Sequence, residues 1–169
     1  KVLKKNIKNQ QQVTRKPEYS QEELYTDNHG LGDTYIEVNL TEQHLYYYKK
    51  GKVVLDTPFV SGRMTKDRFT PPGVYFLTYK QKDRILRGRP NASGQPSYQS
   101  HVNYWMPFNG GIGLHDASWR SNFGGKIYIY SGSHGCINLP GKKAAKIYEM
   151  INKETPIVCV YNNGYKLHG

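Results

Sequence analysis

From Thr34 onward the chain carries a succession of short strand-like apolar runs, the first of them alternating with a period of two, and that points to a fold built mainly of strands. "TYIEVNL" (34–40) puts Ile36, Val38 and Leu40 on one face. "HLYYYKKGKVVLDTPFV" (44–60) reads as two strands joined at a Lys50–Gly51 turn. "GVYFLTY" (73–79), "HVNYWMPF" (101–108), "GGIGLH" (110–115), "KIYIYSG" (126–132) and "PIVCVY" (156–161) read as further strands. A helical period is convincing once, in "PGKKAAKIYEMINK" (140–153), where Ala144, Ile147, Tyr148 and Ile151 fall at i, i+3, i+4 and i+7. There are no internal repeats.

The 169 residues suit one ordinary domain, long enough to bury a core without disulfides or metals. Residues 1–32 are polar, rich in Lys, Gln and Asn, and poorly periodic. They are expected to be a linker or the tail of a preceding domain, with a short helical turn at 18–25, ahead of a domain spanning 33–169. The polar, Gly/Pro/Ser-containing stretch 81–99 reads as a long loop, either a lid over a site or a surface insertion. No apolar run approaches the roughly 18 residues of a membrane span, and no signal peptide is apparent. The chain begins at Lys1 rather than Met, which reads as a fragment or processed form.

A net charge of +11 favours polyanionic surroundings, either as general surface charge or toward an anionic cell-wall polymer. The basic residues are scattered, and no nucleic-acid-binding signature occurs, so a nucleic-acid partner is not expected.

Cys159, in the apolar run "PIVCVY", is expected to be a buried, inert thiol. Cys136 is placed differently, in the glycine-rich turn "SGSHGCINLPG" (131–141). If the helix follows closely, its free N–H groups and positive dipole end would lower the thiol's pKa and supply an oxyanion hole. A cysteine nucleophile needs a base. Among six histidines, His134 lies two residues away, while His115 ends the run "GIGLH". Strand 126–132, returning beside it, would bring His115 next to Cys136. Asp116 is either a third member of the set or a solvated turn residue capping the next segment. Zinc on His115, His134 and Cys136 has no supporting spacing, and neither a metal nor a cofactor is expected.

These residues resemble the L,D-transpeptidases with a YkuD-type catalytic domain. That family has a histidine followed roughly twenty residues later by Ser/Thr-His-Gly-Cys, an apolar residue, and Arg or Asn. Here the pattern is His115, then Ser133-His134-Gly135-Cys136-Ile137-Asn138. A Thr-Pro-x-Gly step is matched by Thr70-Pro71-Pro72-Gly73, preceded by "VSG" at 60–62. The resemblance covers about 33–161. Asp116 departs from it, since many members carry a small residue there.

The resemblance implies a mainly β, β-sandwich-like catalytic domain with one clear α-helix after the cysteine. It implies a peptidoglycan cross-linking acyltransferase, a secreted enzyme of cell-wall biosynthesis and cell shape. Cys136 would attack the carbonyl of the third residue of a stem tetrapeptide and D-Ala would leave. An acceptor stem amine would then resolve the thioester into a 3→3 cross-link. His115 would be the base, its other ring nitrogen held by a backbone carbonyl near Ser133. The N–H groups of Gly135 and Cys136 would serve the oxyanion, with Ser133 and His134 shaping the site. Tyr104, Trp105, Trp119 and Asn138 are candidates to line the substrate groove, the aromatics being equally readable as core. Carbapenem β-lactams would acylate the same thiol. The implied location is the outer, cell-wall side of a bacterium, behind an upstream membrane anchor. Scarce cysteines and a wall substrate together suggest a Gram-positive one.

Three other readings compete. An L,D-carboxypeptidase would differ only in using water as acceptor. A non-catalytic wall-binding module would have no need of a Cys/His pair. A sortase would want an arginine beyond the cysteine, and none follows Arg120.

Overall fold

The computed structural model describes residues 32–168. Apart from Gly32, the expected linker with its helical turn at 18–25 lies outside them.

Among the described residues nine strands form two sheets. The first contains β1 (Tyr35–Asn39), β2 (His44–Lys49), β3 (Lys52–Pro58), β4 (Gly73–Phe76) and β9 (Pro156–Val160), in the order β3-β2-β1-β9-β4. The second contains β5 (Gln81–Arg87), β6 (Gln99–Asn109), β7 (Ile112–Asp116) and β8 (Ile137–Leu139), in that order. Most neighbours are antiparallel, but β1 runs parallel to β9 and β7 parallel to β8. The hairpin turn expected at Lys50–Gly51 is present, with both residues at positive φ.

The alternation read from sequence explains the core. Ile36, Val38, Leu45, Tyr47, Ile157 and Cys159 face inward from the first sheet and meet Met106, Phe108, Leu114, Ile137 and Leu139 of the second. Each such large side chain contributes roughly 1.5–3 kcal/mol by leaving water. The other face of the first sheet is also covered. Tyr35, Val74, Val158 and Val160 form a smaller cluster there, so β1 and β9 are buried on both sides.

Two helices accompany the sheets. Helix α2 (Gly141–Met150) lies where the 3.6 period predicts it and turns Ala144 and Ile147 into the core, followed by Ile151. Lys80 Nζ donates to the Tyr148 and Ile151 carbonyls at 2.6 and 3.1 Å, putting a positive charge on the helix's negative end.

Helix α1 (Ile127–Ser131) corrects the sequence reading of 126–132 as a strand. The Ile/Tyr alternation favours a strand only where a sheet edge is available to pair with. Here the free side of β8 is taken by Val60, which bridges Asn138, while Gly62 bridges Ser133. Gly124 and Gly125, at φ +87° and +61°, turn the chain, and the unpaired segment coils. The reading of 81–99 is also corrected. The stretch opens with the seven-residue strand β5, paired in register with β6, and the loop is confined to residues 88–98.

Candidate active site

His115 is delivered by β7 and Cys136 by the turn that enters β8. The parallel register sets His115 opposite Asn138. Cys136 lies two residues before Asn138, and both line one cavity of about 270 Å³ with His115. The expected juxtaposition of Cys136 and His115 on one rim is therefore present, but β8 creates it, not the expected strand 126–132.

The turn is held from below by motifs distant in sequence. Thr70 is fully buried; its Oγ1 donates to the Gly135 carbonyl at 2.6 Å and accepts from the Gly62 N–H at 3.0 Å. Backbone bonds join Arg63 N–H to Ser133 O and Ser133 N–H to Ser61 O, and Val60 and Asn138 exchange a reciprocal pair. At Gly62 there is no room for a side chain, because a Cβ would stand 1.9 Å from the Arg68 carbonyl oxygen. The "VSG" and Thr-Pro-Pro-Gly motifs thus form the cradle of the cysteine turn. Gly135, at φ +132°, occupies a conformation that L side chains rarely adopt.

Within the turn, Ser133 Oγ donates to the Cys136 carbonyl at 2.6 Å and accepts the Gly135 N–H at 3.0 Å. Ser133 therefore braces the loop. The same contact corrects the expectation for Gly135: its N–H is committed to Ser133 rather than free for an oxyanion.

His115 is buried. Its Nδ1 lies 2.6 Å from the Asp116 carbonyl oxygen, which can only accept, so Nδ1 carries the proton and Nε2 the lone pair. The holding carbonyl is Asp116's own, not one near Ser133. The Asp116 carboxylate points away, accepting the N–H groups of Asn103 at 2.9 and 3.0 Å and of Tyr104 at 2.8 Å. Asp116 is thus neither a third member of the pair nor a solvated turn residue, but a buried brace on β6. Asn138 completes the set. Its Oδ1 accepts Arg120 Nε–H at 2.9 Å, which turns its amide nitrogen toward His115 Nε2 at 3.4 Å. Burial holds the His115 pKa below its ordinary value, opposed by the Asp116 carbonyl bond and carboxylate and assisted by the Arg120 charge.

The expectation of a thiol acidified by a helix end is overturned. A strand, not a helix, follows Cys136, and α2 starts only at Gly141. Burial pushes the thiol up to about 11, against a smaller opposite pull from the Gly113 backbone. At neutral pH the sulfur is protonated and the imidazole neutral, an arrangement suited to proton removal during attack rather than to a standing ion pair.

Of the aromatic candidates, Trp119 lines the cavity, with its ring centroid 5.9 Å from that of His115. Trp105 has its ring centroid at the same distance from that of His115, but it is buried, donates Nε1–H to the Tyr79 hydroxyl, and does not line the cavity. Tyr104 packs against Tyr148 of α2 and is likewise outside the cavity. Their groove role is corrected to packing. His134 lies on the cavity wall, its ring 4.5 Å from that of Tyr98. Sequence reasoning missed Leu86, Tyr98, Ser100 and Arg120. The first three come from the β5–β6 hairpin, whose first half reads as loop in sequence. Arg120 has a visible signal, lying close after Trp119 in the segment between the base and the nucleophile. Cys159 is buried and its thiol is pushed far up by burial, as expected. Among the described residues no cluster of His, Cys, Asp and Glu could hold a metal ion.

Residues 33–159 match the family model for the L,D-transpeptidase catalytic domain. The crystal structure of a Cys-to-Ser mutant of Enterococcus faecium L,D-transpeptidase is 43% identical, with a TM-score of 0.68 over 76% of this chain and 50% of that one. The NMR structure of the E. faecium catalytic domain is 45% identical, with a TM-score of 0.65 over 75% of this chain and 96% of that one. The same catalytic domain acylated by ertapenem is also 45% identical, with a TM-score of 0.64 over 76% and 97%. This chain thus spans about half the length of the longer solved relative and nearly all of the isolated domain. Among curated proteins there is no match.

Proposed function

The chain belongs to the L,D-transpeptidase catalytic-domain family, and from that premise we propose that it is a peptidoglycan L,D-transpeptidase with Cys136 as nucleophile and His115 as base. The observation that supports this best is the Cys136–His115–Asn138 grouping in one cavity, with His115 Nδ1 fixed on a carbonyl and Nε2 left basic. The donor is a stem tetrapeptide. His115 Nε2 takes the thiol proton as sulfur attacks the carbonyl of the third residue. The tetrahedral intermediate collapses, its C–N bond breaks, and the imidazolium returns the proton to the departing D-Ala amine. An acceptor stem amine attacks the thioester, gives a proton to His115, and expels the thiolate as the 3→3 bond forms. With Gly135 N–H turned to Ser133, the Cys136 N–H is the remaining amide proposed for the oxyanion.

The ertapenem-acylated relative supports the corresponding proposal that carbapenems acylate Cys136. Residues 33–169 are read as the catalytic domain and 1–32 as a linker or the tail of a preceding domain, working on the wall side of a bacterial membrane to which an upstream anchor ties it. The net charge of +11 suits retention by anionic wall polymers, and salt should release the protein from isolated walls. Intact-protein mass spectrometry after mixing with a disaccharide-tetrapeptide, and separately with a carbapenem, tests the reading. An adduct on the wild type and none on Cys136→Ala is expected; no adduct with either compound would sink it. Product analysis with and without an acceptor amine separates transfer from hydrolysis.

A further inference from the structure

Arg120 brings a fixed positive charge to the cavity wall. It is half-buried, and among the described residues it has no carboxylate within ion-pair distance. The nearby Asp116 spends its carboxylate on the Asn103 and Tyr104 N–H groups. Arg120 is nevertheless held firmly. Its Nε–H donates to Asn138 Oδ1 and its backbone N–H to the Ala117 carbonyl at 3.1 Å. Among the described residues no hydrogen bond engages its two outer guanidinium nitrogens.

A half-buried guanidinium without a counter-charge is unfavourable until an anion arrives. Burial alone already pulls the Arg120 pKa down. A guanidinium fixed at Nε presents its outer N–H groups in the fork that fits a carboxylate. In the stem-tetrapeptide donor, the residue that leaves carries a free α-carboxylate one Cα beyond the amide that breaks.

We propose that Arg120 binds the terminal α-carboxylate of the donor peptide, so that the site selects donors with one free-acid residue after the scissile bond. This rests on the transpeptidase reading and names what that site recognises. A donor one residue longer would carry its carboxylate beyond the fork. Binding has a second effect. The Arg120 charge now opposes protonation of His115, and a seated carboxylate would cancel that field, making His115 more basic once the donor is in place. The same grip would hold the departing amine beside the imidazolium that must protonate it.

The test compares a disaccharide-tetrapeptide with its C-terminal carboxamide, using the chain as it stands and following the released D-Ala or D-Ala amide. The wild type should prefer the free acid by tenfold or more in kcat/KM. Arg120→Gln should lose that preference, and Arg120→Lys should keep part of it. Equal use of both donors by the wild type would overturn the proposal, as would full preference in a folded Arg120→Gln. The wild-type comparison needs no variant, so poor folding of Arg120→Gln leaves it decisive. Turnover of neither donor, with iodoacetamide still labelling Cys136, would overturn the transpeptidase reading and this proposal with it.

Discussion

His115 Nδ1 and the carbonyl oxygen of Asp116 lie 2.6 Å apart, so the imidazole is held by the backbone of its own neighbour. The Asp116 carboxylate serves β6 instead. Asp116→Asn should therefore leave the tautomer unchanged, and by removing a negative charge that favours the imidazolium it should move the acid limb of turnover to lower pH. It should cost about 1–3 kcal/mol of stability, because an amide cannot replace the carboxylate toward the three N–H contacts without a mismatch. Thermal unfolding and a pH–rate profile together check this. An acid limb moved to higher pH in a folded variant, or loss of turnover at neutral pH, would contradict this placement of the carboxylate.

The acid limb itself has a defined direction. His115 must be neutral to take a proton, and its pKa lies below the ordinary histidine value. Turnover should stay level down to about pH 6.5 and fall only below it, as the ring gains its proton. The same shift bears on stability. A histidine whose folded pKa is depressed contributes stability that is present above the unfolded pKa and lost as pH falls through the folded one. The melting temperature should drop below about pH 6.5, and less so in His115→Gln.

The cysteines should separate by access. Cys136 opens to the cavity and Cys159 is buried. Under native conditions iodoacetamide should label one thiol per chain, and two in denaturant. With the Cys136 thiol pushed up to about 11, the labelling rate should still be climbing well above neutral pH. A plateau at neutral pH would instead reveal a preformed thiolate–imidazolium pair. Cys159→Ser should leave turnover nearly intact.

Thr70 supports the turn through two buried contacts, to Gly135 O and from Gly62 N–H. Thr70→Val removes both and should cost roughly 2 kcal/mol or more. Thr70→Ser should recover most of the loss in stability and turnover. Gly62→Ala, with a Cβ driven at the Arg68 carbonyl, should cost about 1–3 kcal/mol and lower turnover by shifting the turn. Differential scanning fluorimetry with donor kinetics reads both, and a neutral Gly62→Ala would contradict the cradle.

What is legible in sequence depends on how local its cause is. The strands of the first sheet and helix α2 follow from their own periodicity. His115, Cys136 and Asn138 are legible because residue types and spacing carry the chemistry. The segment 126–132 misleads because its alternation needs a free sheet edge, and Val60 and Gly62, far upstream in the chain, have taken it. Strand β5 is hidden by its charges: as an edge strand it faces water and has little reason to be apolar. The thiol's pKa escapes the sequence for a related reason. The glycine turn precedes a helix in the chain, but the intervening strand β8 carries that helix away from the sulfur. Tyr104 and Trp105 sit on β6 beside the site, but the register that turns them into packing cannot be read from one strand alone.

Strand β9 is the last element of the described fold, yet it lies inside its sheet between β1 and β4. The first and last strands are therefore direct neighbours, Ile36 beside Ile157 and Val38 beside Cys159. During synthesis β1 and β4 must wait with open edges until nearly the whole domain has emerged. Such late, long-range closure makes for slow folding and a period of exposure to self-association. The first sheet is complete only once its final strand has been delivered.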